Sequence, residues 1–249
     1  MSGKNYVIIG ASSDVALEYI KHINEITVGD KANIVAHYHS NRAGLDQLME
    51  ECVNINLIPV KADLSQDADI ATLTNSIEEA CQVVDYYLHF PASPFEYMRY
   101  KELDIDKIRT ELNVQLFSFL GITKTLFPKM AKNEGSRALV MLTKYVDDEI
   151  PPKFMTDYVV TKYALLGAMK AAAAECGGKK FMINALSPIM METKFLRNMD
   201  PHIIELNKAK SSLGRIIAPN ELIPYIDKLL SDDCSVNGTN MALDEGDFN

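Results

Sequence analysis

Short apolar runs alternate with helix-spaced segments along most of the chain. Tyr6-Val-Ile-Ile9 is an unbroken apolar run ended by Gly10, the form of a strand buried on both faces. From Ser12 the period changes: Val15, Leu17, Ile20, Ile23 and Ile26 are apolar, with Glu18, Lys21 and Asn24 between them, which predicts an amphipathic helix. The exchange repeats. It predicts further strands over 33–37, 57–60, 84–88, 138–142, 181–186 and 241–243. Helices are predicted over 43–53, 70–80, 103–132, 155–175 and 219–230, with helical pieces within 195–210. Pro128 predicts a kink or an early stop near Phe127. Gly177-Gly178 closes the helix before it, and Pro219 suits the first turn of the last one.

Strands separated by helices need crossover connections, and crossovers produce a parallel sheet covered by helices on both faces. The 249 residues contain no Gly/Ser-rich linker and no fixed-period repeat, so 1–249 is expected to form a single doubly wound α/β domain. In such a sheet ligands sit beyond the carboxyl ends of the strands, where the strand order reverses.

Composition narrows the function. With 47% hydrophobic and 24% charged residues the chain is an ordinary globular protein, not a collagen-like or disordered one. A net charge of −9 without any Lys/Arg run argues against a nucleic-acid partner. No apolar span is long enough for a membrane helix, and the apolar core at residues 6–9 is too short for a secretion signal. Cys52, Cys81, Cys176 and Cys234 are widely spaced, which predicts free thiols in a reducing cytoplasm and no zinc site. His37 and His39 share a strand face, but with no third ligand nearby they predict a polar strand end, not a metal pair.

The first strand-to-helix turn, Gly10-Ala-Ser-Ser-Asp-Val-Ala16, has the makings of an anion cradle. Gly10 allows an immediate turn, and the free N–H groups of the helix start face an anion along the helix dipole. Gly10, Ser12, Ser13, Asp14 and Val15 are therefore candidate cofactor-binding residues. Asp14 and Ala16 stand where dinucleotide loops usually carry glycine, and the Asp14 carboxylate is unfavourable there unless it turns away or caps the helix.

Further segments follow in a fixed order: Lys61-Ala-Asp63-Leu-Ser65, Leu112-Asn113-Val114, Tyr158-Val-Val-Thr-Lys162, Asn184-Ala-Leu-Ser-Pro188 with Thr193, and Gly214-Arg215, Pro219, Gly238 and Leu243-Asp-Glu-Gly246. Together with the first turn they resemble the short-chain dehydrogenase/reductase family over nearly the whole chain. The resemblance implies a Rossmann-type fold and an oxidoreductase that interconverts a carbonyl and an alcohol with a nicotinamide cofactor. It implies that Tyr158, Lys162 and Asn113 are catalytic, and that Lys162 also holds the nicotinamide ribose. Asp63 and Leu64 would lie on the adenine side, with Pro188, Ile189 and Thr193 around the nicotinamide. Thr143 would fill the place of the family's serine, at a slightly longer spacing from Tyr158, with a short insertion at 147–152.

The departures are His89-Phe90-Pro91-Ala92-Ser93 in place of an Asn-Asn-Ala-Gly segment, and Ile189 in place of a glycine. Pro91 and Ala92 would still line the cofactor through their backbone. A second Tyr-x-x-x-Lys, Tyr97 to Lys101, falls in a polar loop and is expected to be incidental or on the substrate side.

The spacing has a chemical reason. Residues four apart share a helix face, so Lys162 can stand beside Tyr158 and favour its phenolate. The phenol can then exchange a proton with a carbonyl oxygen. At the end of the second strand no acid precedes Asp46; Ser40, Asn41 and Arg42 stand there instead, which predicts NADP(H) in preference to NAD(H) because Arg42 can pair with a phosphate. The substrate walls are expected from 94–100, 147–155 and an apolar lid within 189–212, which suit a small-molecule carbonyl or alcohol of hydrophobic or acyl type. The helices after Leu103 and Tyr158 correspond to those that members of the family commonly pair, so the resemblance implies a homodimer or homotetramer, with Ala168 and Ala171 to Ala174 permitting close approach. The competing expectation, motivated by Asp14, His89-Phe90 and Ile189, is a catalytically silent nucleotide-binding sensor on the same fold.

Overall fold

The computed structural model describes residues 3–94, 96–178, 180–196, 199–211 and 213–243. Asp244, Glu245 and Gly246 of the last motif lie outside the described residues. The apolar runs form seven parallel strands: β1 (Asn5–Ile9), β2 (Ala32–Tyr38), β3 (Ile55–Lys61), β4 (Tyr86–His89), β5 (Ser136–Met141), β6 (Phe181–Ser187) and β7 (Asn240–Ala242). They lie in the order β3-β2-β1-β4-β5-β6-β7, so the chain changes direction between β1 and β4. Val7 of β1 pairs with Val35 on one side and Tyr87 on the other, and all three are buried.

The helices are α1 (Asp14–Ile26), α2 (Ala43–Glu51), α3 (Asp67–Ala80), α4 (Ile105–Leu112), α5 (Ser118–Met130), α6 (Thr156–Glu175), α7 (Pro201–Lys210) and α8 (Ile223–Leu230). On one face of the sheet, Leu73, Phe119, Phe127, Leu165 and Met169 from α3, α5 and α6 pack on Tyr87 and Phe181. On the other, Tyr19, Ile20, Leu45, Ile226 and Leu229 from α1, α2 and α8 pack on Ile8, Ile34 and Leu88. Each such side chain contributes about 1.5–3 kcal/mol through burial, so the two apolar layers hold the strand ends in register.

Several boundaries differ from expectation. The helix predicted over 103–132 is two helices joined by a π-helical turn, Asn113–Phe117, in which the Ser118 N–H donates to the Asn113 carbonyl. The apolar period averages over one widened turn, so the pattern did not reveal it. Pro128 does not stop α5 at Phe127; it lies inside the last turn, and the helix continues to Met130. The second helix ends at Glu51, the last strand begins one residue early, and the excursion folds as a 3₁₀ turn, Lys194–Leu196, followed by α7.

Two buried histidines tie the carboxyl ends of the central strands together. His37 Nδ1 accepts the Gly10 N–H at 3.1 Å and its Nε2 lies 3.1 Å from the Ala62 carbonyl, so one neutral ring braces β1, β2 and β3. His89 Nδ1 meets the Tyr87 hydroxyl at 3.0 Å and its Nε2 meets the Gln115 carbonyl of the π-helical turn at 2.9 Å. Gly10 itself must be glycine: its φ is +77°, and an added Cβ would come within 3.0 Å of the Pro91 nitrogen.

Burial pushes His37 down to about 4 and His89 down to about 3, against the ordinary value near 6.5. The unfolded chain therefore binds protons that the folded chain refuses. Stability is full above about pH 6.5 and falls as the pH drops towards those folded values. Urea unfolding between pH 6.5 and 5 is expected to show a loss of stability with a slope approaching about two protons, reduced by about one in His89→Gln. A stability independent of pH over that window contradicts the assignment.

Candidate active site

The reversal between β1 and β4 opens a cleft at the carboxyl ends of the strands. The β1 turn supplies Ser12, Ser13, Asp14 and Val15, and the chain after β4 supplies Phe90, Ala92 and Pro94. The chain after β5 adds Thr143 and Tyr145, and the chain after β6 adds Pro188 to Met191, Thr193 and Lys194. Together they enclose about 550 Å³. α6 crosses this opening and presents Tyr158 and Lys162 one turn apart, both in the cleft wall.

Lys162 is 2% exposed, and its ammonium donates to the Met141 carbonyl at the end of β5 at 3.0 Å. The same Nζ lies 5.9 Å from the centre of the Tyr158 ring. Desolvation lowers Lys162 to about 8, while the buried Glu111 carboxylate on α4 acts in the opposite direction. Burial pushes the Tyr158 phenol up to about 12, and a hydrogen bond with the Thr143 hydroxyl pulls it down. The Phe195 ring, from the excursion after β6, lies beside the phenol with ring centres 6.0 Å apart and planes tilted by 51°. At neutral pH the pair is thus a neutral phenol beside a mostly protonated amine, the state that can give a proton away.

The structure brings Ser12, Ser13, Asp14, Val15, Ala92, Thr143, Tyr158, Lys162, Pro188, Ile189 and Thr193 into one cleft wall. Gly10 lies behind it, against Phe90 and Pro91. Asn113 starts the π-helical turn and its Nδ2 reaches the Ser65 carbonyl at 3.4 Å, outside the cleft lining. Asp63 and the buried Leu64 stand at the turn after β3, where the Asp63 carboxylate accepts the Ser65 N–H; hydrogen bonding with Ser65 favours the carboxylate and holds its pKa below the ordinary value. Ser40, Asn41 and Arg42 form the β2–α2 turn. There the Arg42 Nε pairs with Asp46 at 2.7 Å and Asn41 accepts the Ala43 N–H. Tyr97 and Lys101 lie in and beside the loop before α4, away from the cleft lining.

Asp14 does not cap the helix. Ser13 does, accepting the Ala16 N–H, while Asp14 turns to Lys194. Sequence reasoning missed Lys194, His37 as a brace, and Glu111 with Gln115. Lys194 follows Thr193 directly, and its sign opposite to Asp14 was the available signal. Glu111 and Gln115 gave none, since an acid and an amide four apart on a helix normally face water. Here Gln115 Nε2 donates to Glu111 at 2.9 Å inside the fold, and Gln115 Oε1 has no hydrogen-bond partner among the described residues.

These residues fit a nicotinamide dinucleotide. The Gly10 turn has no room for a Cβ, Ser12 and Ser13 sit at the start of a long helix, and a phenol and an amine line the same cleft. Among the described residues there is no group of three His, Cys, Asp or Glu side chains able to hold a metal.

The family model for enoyl-(acyl carrier protein) reductase matches residues 21–247. The 3-oxoacyl-[acyl-carrier-protein] reductase FabG of Thermotoga maritima is 24% identical, covering 99% of this chain and 98% of that protein. The L-rhamnose 1-dehydrogenase (NADP(+)) of Thermoplasma acidophilum is 26% identical, covering 98% and 96%. Among solved structures, a short chain dehydrogenase from Burkholderia cenocepacia in complex with NADP superposes with a TM-score of 0.84 at 18% identity, covering 98% of both chains. The 3-ketoacyl-(acyl-carrier-protein) reductase from Brucella melitensis complexed with NADH does so at 0.81 and 21%, also covering 98% of both. With a seven-stranded parallel sheet, a cleft at its reversal point and a family match over most of its length, the chain belongs to the short-chain dehydrogenase/reductase family, the oxidoreductases that interconvert CH–OH and C=O with a nicotinamide dinucleotide.

Proposed function

We propose that this enzyme reduces an apolar ketone or 3-oxoacyl-type carbonyl to its alcohol, with NADP(H) preferred over NAD(H). The observation that carries the reading is the convergence of the Tyr158 phenol, the Thr143 hydroxyl and the buried Lys162 amine on one cleft. A bound nicotinamide supplies the hydride in reduction and takes it in the reverse direction. Tyr158 donates its proton to the carbonyl oxygen as that oxygen gains charge, and Thr143 orients the same oxygen through its hydroxyl. The Lys162 charge stabilises the phenolate that remains. Lys162 also binds the nicotinamide ribose, and Asn113 orders water on the proton's route out.

The substrate side is built from Met155, Met190, Met191, Phe195, Leu196 and Met199. Thioether side chains adapt to irregular apolar shapes, which supports a hydrophobic or acyl substrate over a free sugar. The cofactor preference rests on Arg42, 44% exposed and free to exchange Asp46 for a 2′-phosphate at a turn that carries no acid before Asp46. Four free cysteines support a reducing compartment such as the cytoplasm, and no helix among the described residues is long and apolar enough to cross a membrane.

Phe117 and Leu120, in and after the π-helical turn, and Val160 and Tyr163 on α6 are exposed large side chains, which supports pairing of these helices between copies. Sedimentation at micromolar concentration is expected to give a dimer or tetramer, and a monomer contradicts that assembly.

Steady-state reduction of medium-chain ketones and 3-oxoacyl thioesters tests the chemistry. NADPH is expected to give the higher kcat/KM, and Tyr158→Phe is expected to lower kcat by about 10²-fold or more while still binding cofactor. Lys162 must keep its proton to stabilise the phenolate left on Tyr158, and desolvation lowers that amine to about 8, so reductive kcat/KM is expected to be level below about pH 8 and to fall above it. A clear NADH preference overturns the cofactor assignment. A Tyr158→Phe enzyme with unchanged turnover overturns the role of the phenol, and cofactor binding without turnover on any carbonyl favours the silent sensor.

A further inference from the structure

Asp14 places a carboxylate in the first turn of α1, where the helix start would otherwise welcome an anion. Both of its oxygens are engaged by one residue 180 positions away: Oδ2 accepts the Lys194 N–H at 2.6 Å, and Oδ1 pairs with the Lys194 ammonium at 3.0 Å. Both residues line the central cleft, and both also line the neighbouring hollow between α1, α2 and Pro219. The pair therefore spans the wall between the two. The other charged groups of that hollow are Glu18, Lys21 and Glu192, and Lys21 is already paired with Glu18 at 2.9 Å.

Like charges a few ångströms apart repel even at a partly solvated surface, so an uncompensated Asp14 would oppose a dinucleotide's phosphates. Lys194 removes that opposition, and its side chain is 49% exposed, so it can turn from one anion to another. We propose that Lys194 is the phosphate-binding cation of this dinucleotide site, held in the free enzyme by Asp14, which the incoming pyrophosphate displaces. This rests on the dinucleotide reading of the cleft. It assigns the departure at position 14 a use: the carboxylate positions the cation that replaces the usual glycine contact, and it competes with the cofactor for that cation.

Competition and simple latching predict opposite signs. If the pair only latched the excursion after β6 onto α1, losing either partner would loosen the same contact and weaken binding alike. If Asp14 competes, neutralising it frees Lys194 for the phosphates and tightens binding, whereas neutralising Lys194 leaves a bare carboxylate and weakens it. Lys194→Met is a suitable probe because its backbone N–H still reaches Asp14 and keeps the loop anchored.

NADPH is titrated into wild type, D14N, K194M and K194R, read by nicotinamide fluorescence at two ionic strengths, with each variant's melting temperature measured. The expected order is a Kd raised about tenfold or more in K194M, with a shallower salt dependence, lowered several-fold in D14N, and near wild type in K194R. K194Q replaces K194M if the latter melts early. Equal weakening in D14N and K194M, or wild-type affinity in K194M, overturns the role of Lys194 while leaving the cleft a dinucleotide site. A wild-type protein that binds neither NADPH nor NADH overturns the dinucleotide reading and this inference together.

Discussion

An amine buried among apolar strand ends is the constraint on which the site depends. Lys162 is almost wholly withdrawn from solvent, and its charge is sustained by one backbone carbonyl of β5 and the nearby Glu111. Removing an ammonium from water is costly unless it is hydrogen-bonded, so the geometry around it must be rigid. That rigidity comes from α6, packed by Leu165 and Met169 on the sheet, and from the parallel strands beneath. The same desolvation moves the amine and the phenol of Tyr158 in opposite directions, one down towards neutrality and the other up. Burial thus keeps the phenol protonated, while the Thr143 hydroxyl acts against it on the phenol and Glu111 acts against it on the amine.

The two halves of the cleft are built differently. The Gly10 turn is held from behind by the neutral His37 ring and by close contact with Phe90 and Pro91, so backbone geometry defines it. Elsewhere the cleft is lined by methionines and by Phe195, whose ring lies beside the phenol. One part of the lining is thus fixed by backbone and the other is made of adaptable side chains. The Asp14–Lys194 pair joins the two, since one partner belongs to the rigid turn and the other to the adaptable cover.

Much of this was legible in the sequence. Buried strands of a parallel sheet read as unbroken apolar runs, and all seven were placed within a few residues. Tyr158, Lys162 and Thr143 were singled out by the resemblance to the family; spacing alone accounted only for Tyr158 and Lys162 sharing a helix face. The π-helical turn was not, because one extra residue per turn barely disturbs an apolar stripe. His37 read only as a polar strand end, since a ring that accepts from one strand and donates to another shows itself only once the strands are side by side. Contacts between distant segments, such as Asp14 with Lys194 and Arg137 with the Ser231 carbonyl, have no local signature at all.

The most direct test is a crystal structure of the enzyme grown with NADP. The account predicts the nicotinamide ring in the cleft between Tyr158 and Ile189, with the Lys162 ammonium turned to the ribose and the pyrophosphate over the Gly10 turn. Density that places the dinucleotide elsewhere, or a Tyr158 and Lys162 that face away from the ring, contradicts it.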